Sequence, residues 1–220
     1  MAVFNDTFTE ATATTPLQSH TPDTGTSWTQ VWQSAAGLDI NANYTSDTAI
    51  PESSLDNGVV YSADATYPSA NYEVQFTLTT LGTTAGTPVY IFIRLQDIDN
   101  LYAVRLDDQG GTNTCQLYKK VTGTWTALGS AFNPPADGSV CVLGINGTSL
   151  YFKDDGVQVA SATDSDISAT GKAGLGAGGG AELVTSTDNS STSHDVDNFT
   201  VTDLGAGGTN PGWYGKAGWF

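Results

Sequence analysis

Residues 89–108 read "VYIFIRLQDIDNLYAVRLDD", and this stretch decides the fold. Two apolar runs rich in β-branched and aromatic residues flank a short polar segment, the pattern of two strands joined by a turn. In the first run Val89, Ile91, Ile93 and Leu95 fall on one side, with Tyr90, Phe92 and Arg94 opposite. The Asn and Asp of "QDIDNLY" tolerate the positive φ that a tight hairpin requires. Strands are therefore expected at 89–97 and 101–108.

The same period of two extends outward in both directions. Further strands are expected at 3–8, 38–42, 58–62, 72–80, 114–121, 124–128, 140–145, 149–153, 157–163, 173–177 and 196–203. "VTGTW", "INGTS" and "KDDGV" are further hairpin turns, so the middle of the chain reads as a meander. On 72–80, Tyr72, Val74, Phe76 and Leu78 share a side. Two stacked sheets bury such faces against each other at about 10 Å. Helical periodicity is absent, which leaves a sandwich or a barrel. The loops at 14–27 and 185–193 read as polar insertions.

The 220 residues suit one all-β domain. At 39% hydrophobic and 14% charged, the composition supports a core and lacks the charge density of a disordered chain. Formal charge is −16, from 23 acids against seven bases: Arg94, Arg105, Lys119, Lys120, Lys153, Lys172 and Lys216. Such sparse cations argue against nucleic acid and against anionic membrane surfaces as partners. The N-terminus lacks the basic and apolar regions of a secretory signal, and no segment has the ~20 apolar residues of a membrane span. Cys115 and Cys141 lie in apolar strand-like runs and are expected to be buried, unpaired thiols.

Read in order, "VFNDTFTE", "SHTPDTGTSWT", "GVVYSA", "YEVQFTLTT", the 89–108 hairpin, "CQLYKKVTGTWTALGS", "LYFKDDGVQVASATD", "GKAGLGAGG" and "DVDNFTVTDL" resemble the concanavalin A-like (laminin G-like) jelly-roll superfamily. The resemblance implies an antiparallel two-sheet β-sandwich over 1–204, followed by an extended tail at 205–220. It also implies that the first and last strands lie together, with Phe4 and Phe8 near Phe199 and Val201. Lectins, carbohydrate-binding modules, glycan hydrolases and phage structural modules share this fold, so function must come from a site.

A retaining glycosidase needs two carboxylates about 5–5.5 Å apart. The glutamates are Glu10, Glu52, Glu73 and Glu182, and none belongs to a Glu-x-Asp-x-Glu strand, so no catalytic residue is assigned. His20 and His194 lie in polar loops and are expected at the surface. Two acidic groups have oxygen ligands of the kind calcium takes: Asp97, Asp99 and Asn100, and Asp195, Asp197 and Asn198 with Asp6. Neither has EF-hand spacing, and alternate aspartates equally suit turns and solvent-facing strand positions, so no metal is assigned. Trp28, Trp32, Tyr44 and Tyr61 are candidates for a glycan-binding platform, although "SWTQVWQ" also fits aromatics covering the edge of the core.

The tail "GAGGTNPGWYGKAGWF" carries Trp213, Tyr214, Trp219 and Phe220, residue types suited to anchoring on a partner or sister subunit, or to folding back on the sandwich. A jelly roll without catalytic carboxylates and with such a tail is similar to phage proteins that decorate or cement a capsid. The expectation is a non-enzymatic virion protein, assembled in the host cytoplasm, homo-oligomeric and bound to a major capsid protein or another virion protein. The alternative is a carbohydrate-binding, lectin-like module that reads a glycan through a groove on the concave sheet.

Overall fold

The structure is a computed structural model that describes residues 1–10, 14–34, 40–43, 46–51, 58–81, 88–107, 114–178, 183 and 195–205. Its strands, in chain order, are β1 (Ala2–Asp6), β2 (Thr15–Pro16), β3 (Ser27–Gln33), β4 (Ile40–Asn43), β5 (Thr48–Pro51), β6 (Gly58–Asp64), β7 (Tyr72–Thr80) and β8 (Val89–Asp97). They continue with β9 (Asn100–Leu106), β10 (Cys115–Val121), β11 (Thr124–Phe132), β12 (Ser139–Asn146), β13 (Ser149–Asp154), β14 (Val157–Thr163), β15 (Lys172–Gly178) and β16 (Asp195–Asp203). The first sheet runs β14-β13-β12-β7-β16-β5-β4-β2, with β1 also paired to β16; the second runs β11-β10-β9-β8-β15-β6-β3.

Neighbouring strands pair antiparallel because local turns reverse the chain. Thr122–Gly123 (φ 47° and 79°) and Asp155–Gly156 (φ 46° and 80°) place both central residues in the left-handed region, as type I′ hairpins require. The inner faces meet as the alternation predicts: Tyr72, Val74, Phe76 and Leu78 of the first sheet share one core with Val89, Ile91 and Ile93 of the second. β1 lies on β16 with Phe4 opposite Val201 and Asp6 opposite Phe199. Phe4 meets Phe199 edge-on at 6.2 Å, while Phe8 stacks on Trp28 at 6.0 Å.

Three features differ from the sequence expectations. β2, β3 and β5 are strands that the alternation did not bring out; they are short or polar, and Gln30/Trp32 of β3 is a bulge that breaks the period. The 14–27 stretch is no simple polar insertion, since it holds β2, a 3-10 turn at Leu17–Ser19, and the buried Leu17 and His20. The third is on β8. Arg94 takes φ 49° and inserts an extra residue, so β15 pairs Gly174 with Phe92 but Lys172 with Leu95. Leu95 thereby leaves the row of Val89, Ile91 and Ile93 and joins Tyr90 and Phe92 on the outer face. The tail at 206–220, with Trp213, Tyr214, Trp219 and Phe220, lies outside the described residues, as do Tyr44 and His194.

Candidate functional site: a cleft on the outer face of the second sheet

The bulge at Arg94 shapes a cleft of about 420 Å³ where β3, β6, β8 and β15 come together. Thr29, Val31, Ser62, Leu95, Gln96 and the 169–172 segment line it. Asp64 stands beside it, hydrogen-bonded to the lining residues Lys172, Ser62 and Thr29. Its Oδ1 accepts from Lys172 Nζ at 2.5 Å and Ser62 Oγ at 3.0 Å, and its Oδ2 accepts from Thr29 Oγ1 at 2.5 Å and Ser27 Oγ at 3.3 Å. Burial opposes ionisation of this carboxyl, but the hydrogen bonds from Lys172, Thr29 and Ser62 outweigh it and hold Asp64 below the usual carboxylate range. Asp64 is thus a charged hub that orients a lysine and three hydroxyls.

Beyond Gly171, the chain on that side is tied down by hydrogen bonds and ion pairs among several loops and strands. Tyr72 Oη donates to Gly171 O at 3.0 Å and accepts from the Arg94 amide at 2.6 Å. The Arg94 guanidinium donates to Ala70 O, Ile167 O and Gly147 O at 2.9, 2.7 and 2.8 Å. Lys119 Nζ binds Asp164 and Asp166 at 2.5 Å each, and Tyr102 Oη donates to Asp164 while receiving the Ile167 amide. A wall already held in place loses little freedom when a ligand binds.

Beyond the cleft the same outer face is apolar. Val60, Tyr90, Phe92, Leu95, Leu101, Ala103 and Leu183 form a second cluster, with Val31, Trp32, Ile98 and Trp125 partly buried against it. Tyr90 and Phe92 stack at 6.0 Å, and Phe92 lies over β15, where a Cβ on Gly176 would come within 2.6 Å of its ring. Lys120 is buried above the Trp125 ring at 5.6 Å, with Asp99 at 3.6 Å.

Of the proposed platform aromatics, Trp32 is on this face, half-buried. Trp28 and Tyr61 are not available to a ligand: both are in the core, and Trp28 Nε1 donates to Asp6 at 2.6 Å. Alternation puts these two rings inward while their neighbours point out. His20 is likewise buried rather than at the surface, bridging Asp6 and Glu10 at 2.8 Å each. Its polar sequence neighbours conceal partners that lie on β1 and just after it.

The two acidic groups do not converge on a common point. Asp97 Oδ1 accepts from the Asp99 amide and Asn100 Nδ2, which closes the β8–β9 turn. Asp197 is engaged by Asn198, and Asp6 by Trp28, His20 and the Phe8 amide. Among the described residues no group of three or more His, Cys, Asp or Glu is arranged to hold a metal ion.

Sequence reasoning did not single out Asp64, Lys172, Gln96 or Thr170. The alternating glycines of "KAGLGAG", opposite the aromatics of "VYIF", were the available signal that an outer face was being packed. Nothing local in the sequence marks the Arg94 bulge.

No family model matches the sequence, and no curated protein matches it. The two antiparallel sheets nevertheless stack as a jelly-roll sandwich, a fold shared with known structures. Similar solved structures include the carbohydrate-binding module CBM66 from Bacillus subtilis, with TM-score 0.57 and 17% identity over 79% of this chain and 94% of that one. The exoplasmic/lumenal domain of VIP36 in its Ca2+/Man-bound form gives TM-score 0.51 and 17% identity over 87% and 89%. A prokaryotic beta-1,3-1,4-glucanase (lichenase) derived from a mouse hindgut metagenome gives 0.54 and 13% over 91% and 98%. At these identities the likeness establishes the fold.

Proposed function

We propose that the chain is a non-catalytic carbohydrate-binding module whose ligand occupies the Asp64–Lys172 cleft. The observation that carries this reading is the cleft's lining of hydroxyl, amide and ammonium groups on a fixed wall, beside the apolar side chains of Val31 and Leu95. Sugars present hydroxyls at their edges and C–H groups on their faces, and such a lining complements both. The fold likeness to a carbohydrate-binding module supports the same reading.

Binding is favoured over hydrolysis by how the carboxylates are engaged: Lys172, Thr29, Ser62 and Ser27 hold Asp64, and Asp164 and Asp166, which lie close together, share Lys119. Asp64 ends β6 and Asp107 follows β9, on strands separated in the sheet by β8 and β15 and at opposite ends of the sheet, because Leu106 lies in one row with Val89, Ala177 and Val59; the lateral spacing alone is ~14 Å. That exceeds the ~5–9.5 Å span of glycosidase carboxyl pairs. Glu10 is held by His20, and Glu73, on the first sheet, is held by Tyr151 and Lys153; Glu52 and Glu182 lie outside the described residues. The capsid, oligomer and virion expectations rest on a likeness to phage jelly rolls and on the tail, which lies outside the described residues, and add no weight here.

The test is glycan-array binding by the wild-type chain and by Gln96→Ala and Lys172→Ala variants. Each substitution removes hydrogen bonds to ligand and is expected to weaken binding by roughly 3–10-fold. A wild-type chain that binds no glycan, or variants that bind as the wild type does, would overturn the proposal.

A further inference from the structure

We infer that the cleft takes a short, electrically neutral saccharide, a chain terminus or a mono- or disaccharide, and discriminates against uronic acids and sulfated sugars. This inference rests on the carbohydrate reading above and adds the ligand's class.

Size comes first. A volume of about 420 Å³ lies toward the lower end of the ~300–1,000 Å³ range of ligand pockets. Among the described residues the lining contains no aromatic side chain, so the cleft grips the edges of a ring instead of offering a long stacking platform.

Charge decides the class. Among the described residues Lys172 is the one cation lining the cleft, and its ammonium is already neutralised by Asp64 at 2.5 Å. A ligand carboxylate or sulfate would have to compete with Asp64 for Lys172 while facing the Asp64 charge. It would also approach through the field of a chain with formal charge −16. A neutral hydroxyl meets neither penalty.

The hydrogen-bond inventory is equally specific. A carboxylate has about four acceptor sites, and Asp64 uses them on Lys172, Ser62, Thr29 and Ser27. It therefore organises the cleft without contacting the ligand. Thr29 gives its only hydroxyl hydrogen to Asp64, so toward the ligand it accepts. Lys172 gives one N–H to Asp64 and keeps two for the ligand, while the exposed Gln96 and Thr170 both donate and accept. Mixed donors and acceptors with no uncompensated cation match the hydroxyl pattern of a neutral sugar.

The experiment titrates the full-length chain with neutral disaccharides (maltose, cellobiose, lactose, sucrose) and with glucuronate- and galacturonate-containing counterparts. The amide resonances of Thr29, Gly171 and Lys172 are followed by NMR, and affinities are taken from the same titrations. The expected result is movement of these resonances by a neutral sugar, with its uronate counterpart weaker by on the order of tenfold or more. An Asp64→Asn variant, which frees Lys172, is expected to gain affinity for the uronate by about the same factor. Equal or tighter uronate binding by the wild type, or no uronate gain in the variant, overturns the inference and leaves the carbohydrate reading standing. If no saccharide of either kind moves the cleft resonances, the carbohydrate reading fails and the inference with it.

Discussion

Lys172 Nζ and Asp64 Oδ1 meet at 2.5 Å, one position beyond the registered Ala173–Ala63 pair of the β15–β6 ladder. The two residues are 108 positions apart in the chain, yet the ladder fixes them side by side at the mouth of the cleft. The pair makes Asp64 a stronger acid in the folded chain than in the unfolded one. A lowered folded pKa means a stabilising contribution that is complete above the ordinary carboxylate value of 3.8 and is lost as pH falls through the folded value. The difference in Tm between wild type and Asp64→Asn should therefore be constant near neutrality and shrink below about pH 3.8. A difference that grows on acidification would contradict this.

His20 behaves in the opposite sense. Burial disfavours its charged form, but hydrogen bonds to Asp6 and Glu10 outweigh that and raise its pKa above 6.5. A raised folded pKa gives stability that is present below 6.5 and is lost as pH rises through the folded value. The stability gap between wild type and His20→Gln should be about 2–3 kcal/mol in mild acid, the scale of hydrogen bonds to charged groups, and should narrow on the alkaline side. Urea unfolding at several pH values reads it directly, and a gap that widens with pH would refute the assignment.

Gly171 has no room for a side chain. A Cβ there would sit 2.5–2.8 Å from the Cα, C and O of Arg94, backbone that Arg94's bonds to three loops hold in place. Gly171→Ala is expected to cost about 1–3 kcal/mol and to disturb the cleft wall. Denaturant unfolding measures the first effect, and NMR shifts at Thr29 and Lys172 measure the second. An alanine variant as stable as wild type would show that the wall yields easily.

Cys115 and Cys141 are buried free thiols. Burial pushes both up, Cys115 to about 12, so neither supplies appreciable thiolate near neutral pH. Thiol reagents should react slowly with the folded chain and should titrate two thiols after unfolding without reductant. Recovery of none would indicate a disulfide instead.

Incubation with β-glucans or galactans should release no reducing sugar. Release that disappears on substitution of any one of Glu10, Glu52, Glu73 or Glu182 would reverse the non-catalytic reading.

Much of the sandwich is legible in the chain because strand identity is local. β7, β8 and β14 occupy the spans that alternation assigns them, and "VTGTW" and "KDDGV" form the hairpins their glycines call for. β3 is hidden because Thr29 and Gln30 interrupt the apolar rhythm and the bulge shifts Trp32 to the outer face. Of the platform candidates, Trp32 lies on the outer face while Trp28 and Tyr61 are in the core: residue type does not reveal which side of a strand faces inward. His20 looked like a surface residue because the Asp6 and Glu10 that cover it contribute nothing to its local pattern.

The sequence by itself determined that this is an antiparallel β protein with two apolar inner faces, since a period of two and the turn residues act within a few positions of one another. Tertiary structure alone decided where the candidate cleft arises. The extra residue at Arg94 moves Leu95 to the outer face, and the Tyr72 hydroxyl ties the Arg94 amide to the Gly171 carbonyl. β15 carries Lys172 to Asp64. Each of these depends on the pairing of strands remote in the chain, whose register is set by the packing of the whole sandwich and by no segment within it.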